Sequence, residues 1–189
     1  MKRILILASG AGTLAEAIMN EDFTEELAEV VAVICDKPNA PVLDKAQLRG
    51  IESYVVPMLA NRQTWNQELE KLIAILRPDL IVSAGFMRVL PVEITSQFKI
   101  INSHPSLLPL YPGAHAVRDA LADGALVTGT TIHWVDAGID TGEVIVQEKV
   151  EILEGDNEER LHERIKIVER GLIVATIHRL LPLLESKNV

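Results

Sequence analysis

Apolar runs without a polar face alternate with helical segments through the first half of the chain. The runs at 3–8 and 79–83 are typical of strands covered on both faces, as in a parallel sheet. Residues 64–76 repeat their apolar positions with a period of about 3.6, which predicts an amphipathic helix. Strands are predicted at 3–8, 29–35, 53–56 and 79–83, and helices at 14–20, 42–49, 64–76 and 91–98. This alternation predicts a doubly wound, mainly parallel sheet.

The pattern changes in the second half. Residues 117–122 form a short predicted helix, and the β-rich runs 128–135 and 143–150 follow each other with no room for a helix between them. Those two strands are therefore expected to pair antiparallel. A last helix is expected from Asn157 to about Ser186, opened by a capping box of Asp156 and Glu159 and bent or ended by Pro182. Its predicted buried stripe is Leu161, Ile165, Val168, Leu172, Ala175 and Leu180.

Composition narrows the class of protein. The 189 residues suggest one domain with a full core, and the net charge of −9 argues against nucleic acid as a partner. The opening MKRILILASG is too short for a membrane span and lacks a cleavage region, so it is interpreted as the first strand. Cys35 is the only cysteine, which excludes an internal disulfide and suits the cytoplasm. It is expected to be a small core residue.

The segment 100–113, IINSHPSLLPLYPG, carries the first candidate chemistry. Asn102 and His104 are two residues apart, so on extended backbone their side chains point to the same side. Pro105 favours extended backbone at His104, and the prolines that follow exclude a helix. An amide and an imidazole at a strand end, before a stiff loop, form a preorganised pair of hydrogen-bonding groups.

The turn after the first strand carries a second candidate site. Residues 10–15, GAGTLA, fit G-x-G-x-x-A, and Asp36 follows about 20 residues on, as in dinucleotide-binding proteins. The physical basis is broader, because glycines let backbone N–H groups approach any anion at a helix N-terminus. A phosphate monoester and a dinucleotide therefore both remain open at this point.

NSHPSLLP, with AGFMRVL upstream and Asp140-x-Gly142 downstream, resembles the folate-dependent formyltransferases, and the likeness runs from Lys2 to beyond Glu169. It implies a single-domain α/β, Rossmann-like fold. The sheet would be mostly parallel and twisted, with an antiparallel pair near the C-terminal end and a long C-terminal helix. Residues 1–189 would form one domain, with a phosphate-binding half at 1–100 and a catalytic and folate-binding half at 101–189.

The resemblance also implies a reaction. A formyl group would pass from 10-formyltetrahydrofolate, as cosubstrate, directly to the amine of glycinamide ribonucleotide in purine biosynthesis, through a tetrahedral intermediate. Asn102 and protonated His104 would stabilise the oxyanion, and Asp140 would raise the pKa of His104. The partners would be small molecules, with neither nucleic acid nor membrane involved, and the protein a monomer or homodimer in the cytoplasm.

The resemblance assigns binding roles as well. Gly12, Thr13 and Leu14 would hold the phosphate, and Glu169 the amino end of that substrate. Ala11 and Leu14 stand where the family often has asparagine, so backbone donors would have to suffice. A cis bond is expected at Leu108–Pro109. The folate site would comprise Arg62, Met87, Arg88, Val89 and Leu90, with Asn102 and Asp140.

Other classes of protein share parts of these motifs. A nicotinamide-dependent oxidoreductase is favoured by the glycine turn and Asp36 and disfavoured by the chain after residue 80, so no NAD is expected. No metal is expected either, because His115, His133, His162 and His178 lack metal-ligand spacing. Two other members of the resembled family, methionyl-tRNA formyltransferase and formyltetrahydrofolate deformylase, carry an additional domain that this sequence is not expected to accommodate.

Overall fold

The computed structural model describes residues 1–184 and confirms the predicted alternation of strands and helices. The strands are β1 Lys2–Ala8, β2 Ala28–Cys35, β3 Glu52–Val55, β4 Leu80–Ser83, β5 Ile100–His104, β6 Val127–Trp134 and β7 Val144–Glu151. The helices are α1 Thr13–Met19, α2 Pro41–Leu48, α3 Arg62–Leu76, α4 Val92–Thr95, α5 Ala116–Ala122 and α6 Glu158–Leu180, with a 3₁₀ turn at Leu181–Leu183.

The strands form one sheet in the order β3-β2-β1-β4-β5-β6-β7. Neighbours from β3 to β5 are parallel, whereas β6 is antiparallel to both β5 and β7. The expected α/β architecture with its antiparallel segment and long C-terminal helix is therefore confirmed. Strand order reverses between β1 and β4, and ligands of such sheets bind beyond the carboxyl ends of the strands at that point.

The two faces of the sheet are covered by different helices. One core packs α1, α2 and α6 against residues such as Ile6 and Ile101. The other packs α3 and α4 against residues such as Leu7 and Ile100. Because side chains alternate along a strand, Ser103 lies on the α6 side of β5, whereas Asn102 and His104 lie on the α3 side.

Helix α6 differs from its prediction at both ends. Its N-cap is Asn157, whose Oδ1 accepts the Arg160 N–H at 2.9 Å. Asp156 accepts the Leu153 N–H and pairs with Arg164, so the predicted capping box is wrong. The helix ends at Leu180, before Pro182, and Ser186 lies outside the described residues.

The buried face of α6 also differs from the predicted stripe. Ala175 is exposed, and Val168 and Leu172 are half-buried. The acidic residue Glu169 lies in the middle of the buried face, which comprises Leu161, Ile165, Glu169, Ile173, Thr176, Ile177 and Leu180.

Three smaller expectations have clear outcomes. The helix predicted at 91–98 is limited to α4, with Pro91 as the residue before it. The Leu108–Pro109 bond is cis, as predicted. Cys35 is fully buried at the end of β2.

Among the helices within residues 1–184, none combines the length and apolar character needed to cross a membrane.

Candidate active site

His104 and Asp140 form a close pair at the carboxyl end of β5. The Nδ1 atom of His104 lies 3.3 Å from Oδ2 of Asp140, and His104 is only 4% exposed. On the other side of the ring, Nε2 lies 2.8 Å from the carbonyl oxygen of Tyr111. A carbonyl can only accept, so Nε2 carries a hydrogen and Nδ1 is the atom that gains or loses a proton.

Burial lowers the pKa of His104 below its ordinary value, against the opposing effects of the Tyr111 carbonyl and the Asp140 charge. The expectation that His104 is protonated at neutral pH is therefore wrong for the free protein. Asp140 does act in the predicted direction. Desolvation of the imidazolium exceeds that effect because the ring is enclosed by the sheet and the proline loop.

Asp140 is held by several groups at once. Its Oδ2 accepts the Gly113 N–H at 2.8 Å, and its Oδ1 lies 3.6 Å from Nε2 of His133. Burial raises the pKa of Asp140, but opposing contacts, among them the Gly113 N–H and His104, outweigh it and leave that pKa below its ordinary value. A stable carboxylate is thus aimed at the His104 ring.

Asn102 is oriented by His133, for which the sequence predicts no role. Nδ1 of His133 lies 2.9 Å from the Trp134 carbonyl, so Nδ1 carries the hydrogen in the neutral ring and Nε2 accepts. The Asn102 amide nitrogen donates to that Nε2 at 3.2 Å. This fixes the orientation of the amide and leaves its second N–H for another acceptor. Asn102 pairs with His133 across β5 and β6, as His104 pairs with Thr131.

Glu169 reaches β5 from the opposite face of the sheet. It is 7% exposed, and its Oε1 accepts a hydrogen bond from Ser103 Oγ at 2.7 Å, with Thr130 Oγ1 at 3.5 Å. Burial raises the pKa of Glu169, against the hydrogen bonds from Ser103 and Thr130 that lower it. Ser103, which lies between Asn102 and His104, therefore connects this part of β5 to α6.

The glycine turn after β1 requires glycine at residue 12. Gly12 has φ 68°, and a Cβ there would lie 2.5 Å from Cβ of Val42. Helix α1 starts at Thr13, and its cap residue Gly12 supplies no side chain. The first-turn N–H groups, including those of Thr13 and Leu14, therefore lack partners within the helix. Both residues lie on the side of the sheet where α1 packs with α6.

Asp36, the acidic residue of the dinucleotide pattern, is buried and paired with an arginine. Arg88 Nε donates to Asp36 Oδ2 at 2.6 Å, and the Asp36 side chain is 0% exposed. A ribose could not reach that carboxylate, so the pattern lacks the acidic contact that a dinucleotide needs. The ion pair instead joins the end of β2 to the segment after β4.

That segment follows β4, whose last residue, Ser83, pairs with Asn102, and it carries exposed apolar side chains. Met87 and Val89 are 59% and 51% exposed, whereas Leu90 is buried. The segment is held by the Met87 N–H, which donates to Ser9 Oγ at 2.9 Å, and by Arg62, which donates to the Val89 carbonyl. The structure thus brings together Arg62 and residues 87–90 on the α3 side.

His133 could have been found in the sequence from the antiparallel prediction. Thr131 and His133 repeat the spacing of Asn102 and His104 on a strand expected to lie near them. For metals, no group of three histidine, cysteine or acidic residues in the described part of the chain is placed to hold an ion.

Comparison with known proteins finds relatives of this chain in both sequence and structure. The family model described as formyl transferase matches residues 2–177. A phosphoribosylglycinamide formyltransferase from Mycobacterium tuberculosis is 42% identical over 179 residues, covering 93% of this chain and 83% of that protein. One from Bacillus subtilis is 36% identical over 188 residues, covering 97% and 96%. The crystal structure of phosphoribosylglycinamide formyltransferase from Bacillus halodurans superimposes with a TM-score of 0.91 at 38% identity, covering 97% of each chain.

Proposed function

We propose that this chain, which belongs to the formyl transferase family, transfers a formyl group from 10-formyltetrahydrofolate to the glycinamide amine of 5-phosphoribosylglycinamide. The observation that carries this proposal is the cluster at the end of β5. There an oriented Asn102 amide lies beside a buried histidine–carboxylate pair. Acyl transfer to an amine needs a donor for the developing oxyanion and an acceptor for the amine's proton.

In this proposal Asn102 is the oxyanion donor. One N–H of its amide is committed to His133, which holds the amide in place, and the second N–H donates to the formyl oxygen as charge develops. A donor that is already oriented costs no reorganisation during the reaction. His133 is therefore a positioning residue for Asn102.

His104 and Asp140 handle the proton. Since His104 is neutral in the free protein, its Nδ1 accepts the proton that the attacking amine releases, directly or through water. The Asp140 carboxylate, 3.3 Å away, stabilises the imidazolium that results. As the bond between the formyl carbon and N10 of the folate breaks, that proton passes to N10, tetrahydrofolate leaves and His104 is neutral again. His104 thus acts as a base that becomes charged only during turnover, and no covalent enzyme intermediate is needed.

We assign the two substrates to the carboxyl edge of the sheet, which they would approach from opposite faces and where their reacting ends would meet. The ribonucleotide phosphate would accept the N–H groups of Gly12, Thr13 and Leu14, with the positive end of α1 adding to the attraction. Glu169 would contact the same substrate near its amino end, since α1 and α6 pack on the same face of the sheet. Phosphate recognition would thus fall in residues 1–100, whereas the catalytic groups fall in residues 101–189.

The α3 side suits the folate cosubstrate, which supplies the formyl group when bound. Exposed Met87 and Val89 offer apolar contact to a flat ring, and the backbone of Arg88 and Leu90 offers groups to read its edge. Arg62, close to Val89, would meet a carboxylate of the cosubstrate. Residues 62 and 87–90 precede residue 101, so the folate site would draw on both halves of the chain.

The test is an assay with purified protein, 10-formyltetrahydrofolate and glycinamide ribonucleotide, measuring deformylated folate and formylated amine together. Equal amounts of both products are expected, and almost no folate turnover without the amine. Folate turnover at a similar rate without the amine would identify a hydrolase instead. A micromolar Kd for NAD or NADP that glycinamide ribonucleotide competes away would also refute the proposal.

A further inference from the structure

The loop after His104 is fastened to the sheet by a row of side chains. His104, Thr131 and Gln147 face one another across β5, β6 and β7, because His104 pairs with Thr131 and Thr131 with Gln147. The cis-proline loop at 105–112 folds over this row and returns the Tyr111 carbonyl to the His104 ring. The position of that carbonyl therefore depends on what holds the loop.

Gln147 and Thr131 make the contacts that hold it. Thr131 Oγ1 donates to the Ser106 carbonyl at 2.7 Å and accepts the Leu108 N–H at 3.1 Å. Gln147 Nε2 donates to the Leu108 carbonyl at 2.7 Å and to Thr131 Oγ1 at 2.9 Å. The amide of Gln147 thus satisfies the loop and the buried threonine together, although Gln147 itself is an exposed residue.

The neighbouring position on β6 shows how closely the loop lies on the strand. A Cβ at Gly129 would lie 2.6 Å from Cδ2 of Leu107, so the loop occupies the space of the missing side chain. Within the loop, Ser106 Oγ donates to the Leu110 carbonyl at 2.5 Å. The Leu110 N–H also donates to the Leu107 carbonyl at 3.0 Å, so these contacts connect the segment held by Gln147 to the residue before Tyr111.

We propose that Gln147 is a positioning residue for His104, acting through residues 106–111 to keep the Tyr111 carbonyl against Nε2 of the ring. Gln147 touches neither substrate nor the reacting atoms in this role. It determines which ring nitrogen carries the hydrogen, and so leaves Nδ1 facing Asp140 as the proton acceptor. The effect of Gln147 on turnover rests on the proposed function, whereas its effect on the position of the hydrogen on the His104 ring does not.

The test compares Gln147→Leu and Gln147→Glu with the unaltered protein and with Lys149→Leu. Leucine removes both the oxygen and the nitrogen of the side-chain amide. Glutamate keeps the shape of the side chain but cannot donate to the Leu108 carbonyl. Lys149 is the matched control, because it is exposed on the same strand two residues on and pairs with Gly129. The direct readout is the ¹⁵N NMR spectrum of the histidine rings, with the His104 signals assigned by their loss in His104→Gln.

In the unaltered protein and in Lys149→Leu, neutral His104 is expected as the Nε2–H form. Both Gln147 variants are expected to show a mixture of Nε2–H and Nδ1–H forms. Their kcat should fall about 10–100-fold, as a displaced catalytic group predicts, with KM for both substrates within about threefold. Because Gln147 is exposed, thermal unfolding of both variants should remain cooperative.

An unchanged His104 spectrum in Gln147→Glu overturns the proposal, even if Tm falls, because Gln147 would then serve stability alone. If the spectrum changes while kcat does not, the positioning of the ring stands and the catalytic role of His104 fails. If the unaltered protein transfers no formyl group, the proposed function fails, and the spectra still decide the role of Gln147.

Discussion

Replacement of Glu169 by glutamine should make the protein more stable at high pH and leave its stability nearly unchanged at low pH. The carboxyl group is 7% exposed, and burial raises its pKa. A raised folded-state pKa stabilises the protein fully below the unfolded pKa, near ~4.3. That stability is lost as pH rises through the folded pKa, because the buried group must then ionise. Glutamine keeps the Oε1 acceptor for Ser103 and has no charge to bury.

The size of the effect follows from two opposing contributions. An ionised group removed from water costs several kcal/mol. The hydrogen bond from Ser103, at 2.7 Å, returns about 1.5–3 kcal/mol as a bond to a charged group. The contact with Thr130 at 3.5 Å is too long to add much. At pH values above the raised pKa, the glutamine variant should therefore have a free energy of unfolding about 1–3 kcal/mol higher. For a chain of this size, that difference corresponds to about 2–12 °C in Tm.

The assay is thermal unfolding of both proteins from about pH 4 to about pH 9, with the difference in Tm plotted against pH. Glu163→Gln is the control, since Glu163 lies on the same helix with a side chain 61% exposed. Its Tm should shift by less than about 2 °C throughout, as for an exposed ion pair. A Glu169→Gln difference that stays constant across the pH range would show that the carboxyl group is not buried in the way described.

Two further predictions concern other titrating pairs. Asp140→Asn should lower turnover about 10²-fold or more. It should also move the acidic limb of the rate–pH profile to lower pH, because the charge that raises the pKa of His104 is gone. Near-normal turnover with an unmoved acidic limb would contradict the roles given to Asp140 and His104. His178 lies 2.7 Å from Glu26 and 3.1 Å from Glu21, contacts that raise its pKa. His178→Gln should therefore cost about 0.5–1 kcal/mol near pH 6, discounted for solvent exposure, and the loss should disappear as pH rises through the raised pKa. Equal Tm differences at pH 6 and pH 9 would exclude this pair as its source.

The sheet could be predicted from sequence because its strands are recorded in local patterns. The unalternating run of β1, the 3.6 period of α3 and the short connection between β6 and β7 each depend on neighbours in the chain alone. The location of the Asn102 and His104 side chains on one side of β5 could be predicted for the same reason, because it follows from their spacing in the chain. Resemblance then suggested Asp140 and the cis bond at Leu108–Pro109, which no local pattern requires.

The remaining features depend on contacts distant in sequence. The register of β5 and β6 places His133 beside Asn102. Asp36 is buried in an ion pair with Arg88, which is 52 residues away in sequence. Glu169 interrupts an apolar stripe, so a search for apolar positions shifted the stripe to Val168 and Leu172. The pKa of His104 was misjudged because the sequence identifies its partner Asp140 but not how completely the folded protein excludes water from the ring.

The alternation of side chains along β5 constrains how this segment can evolve. Asn102 and His104 face one side and Ser103 the other, where it contacts Glu169. One residue inserted or deleted within Asn102–His104 would exchange the faces, turning the serine toward Asp140 and the imidazole toward α6. Substitutions at residue 103 can be accommodated if α6 changes with them, but changes of length cannot. Viable insertions among descendants of this gene should therefore accumulate in the connecting loops and be absent from these three codons.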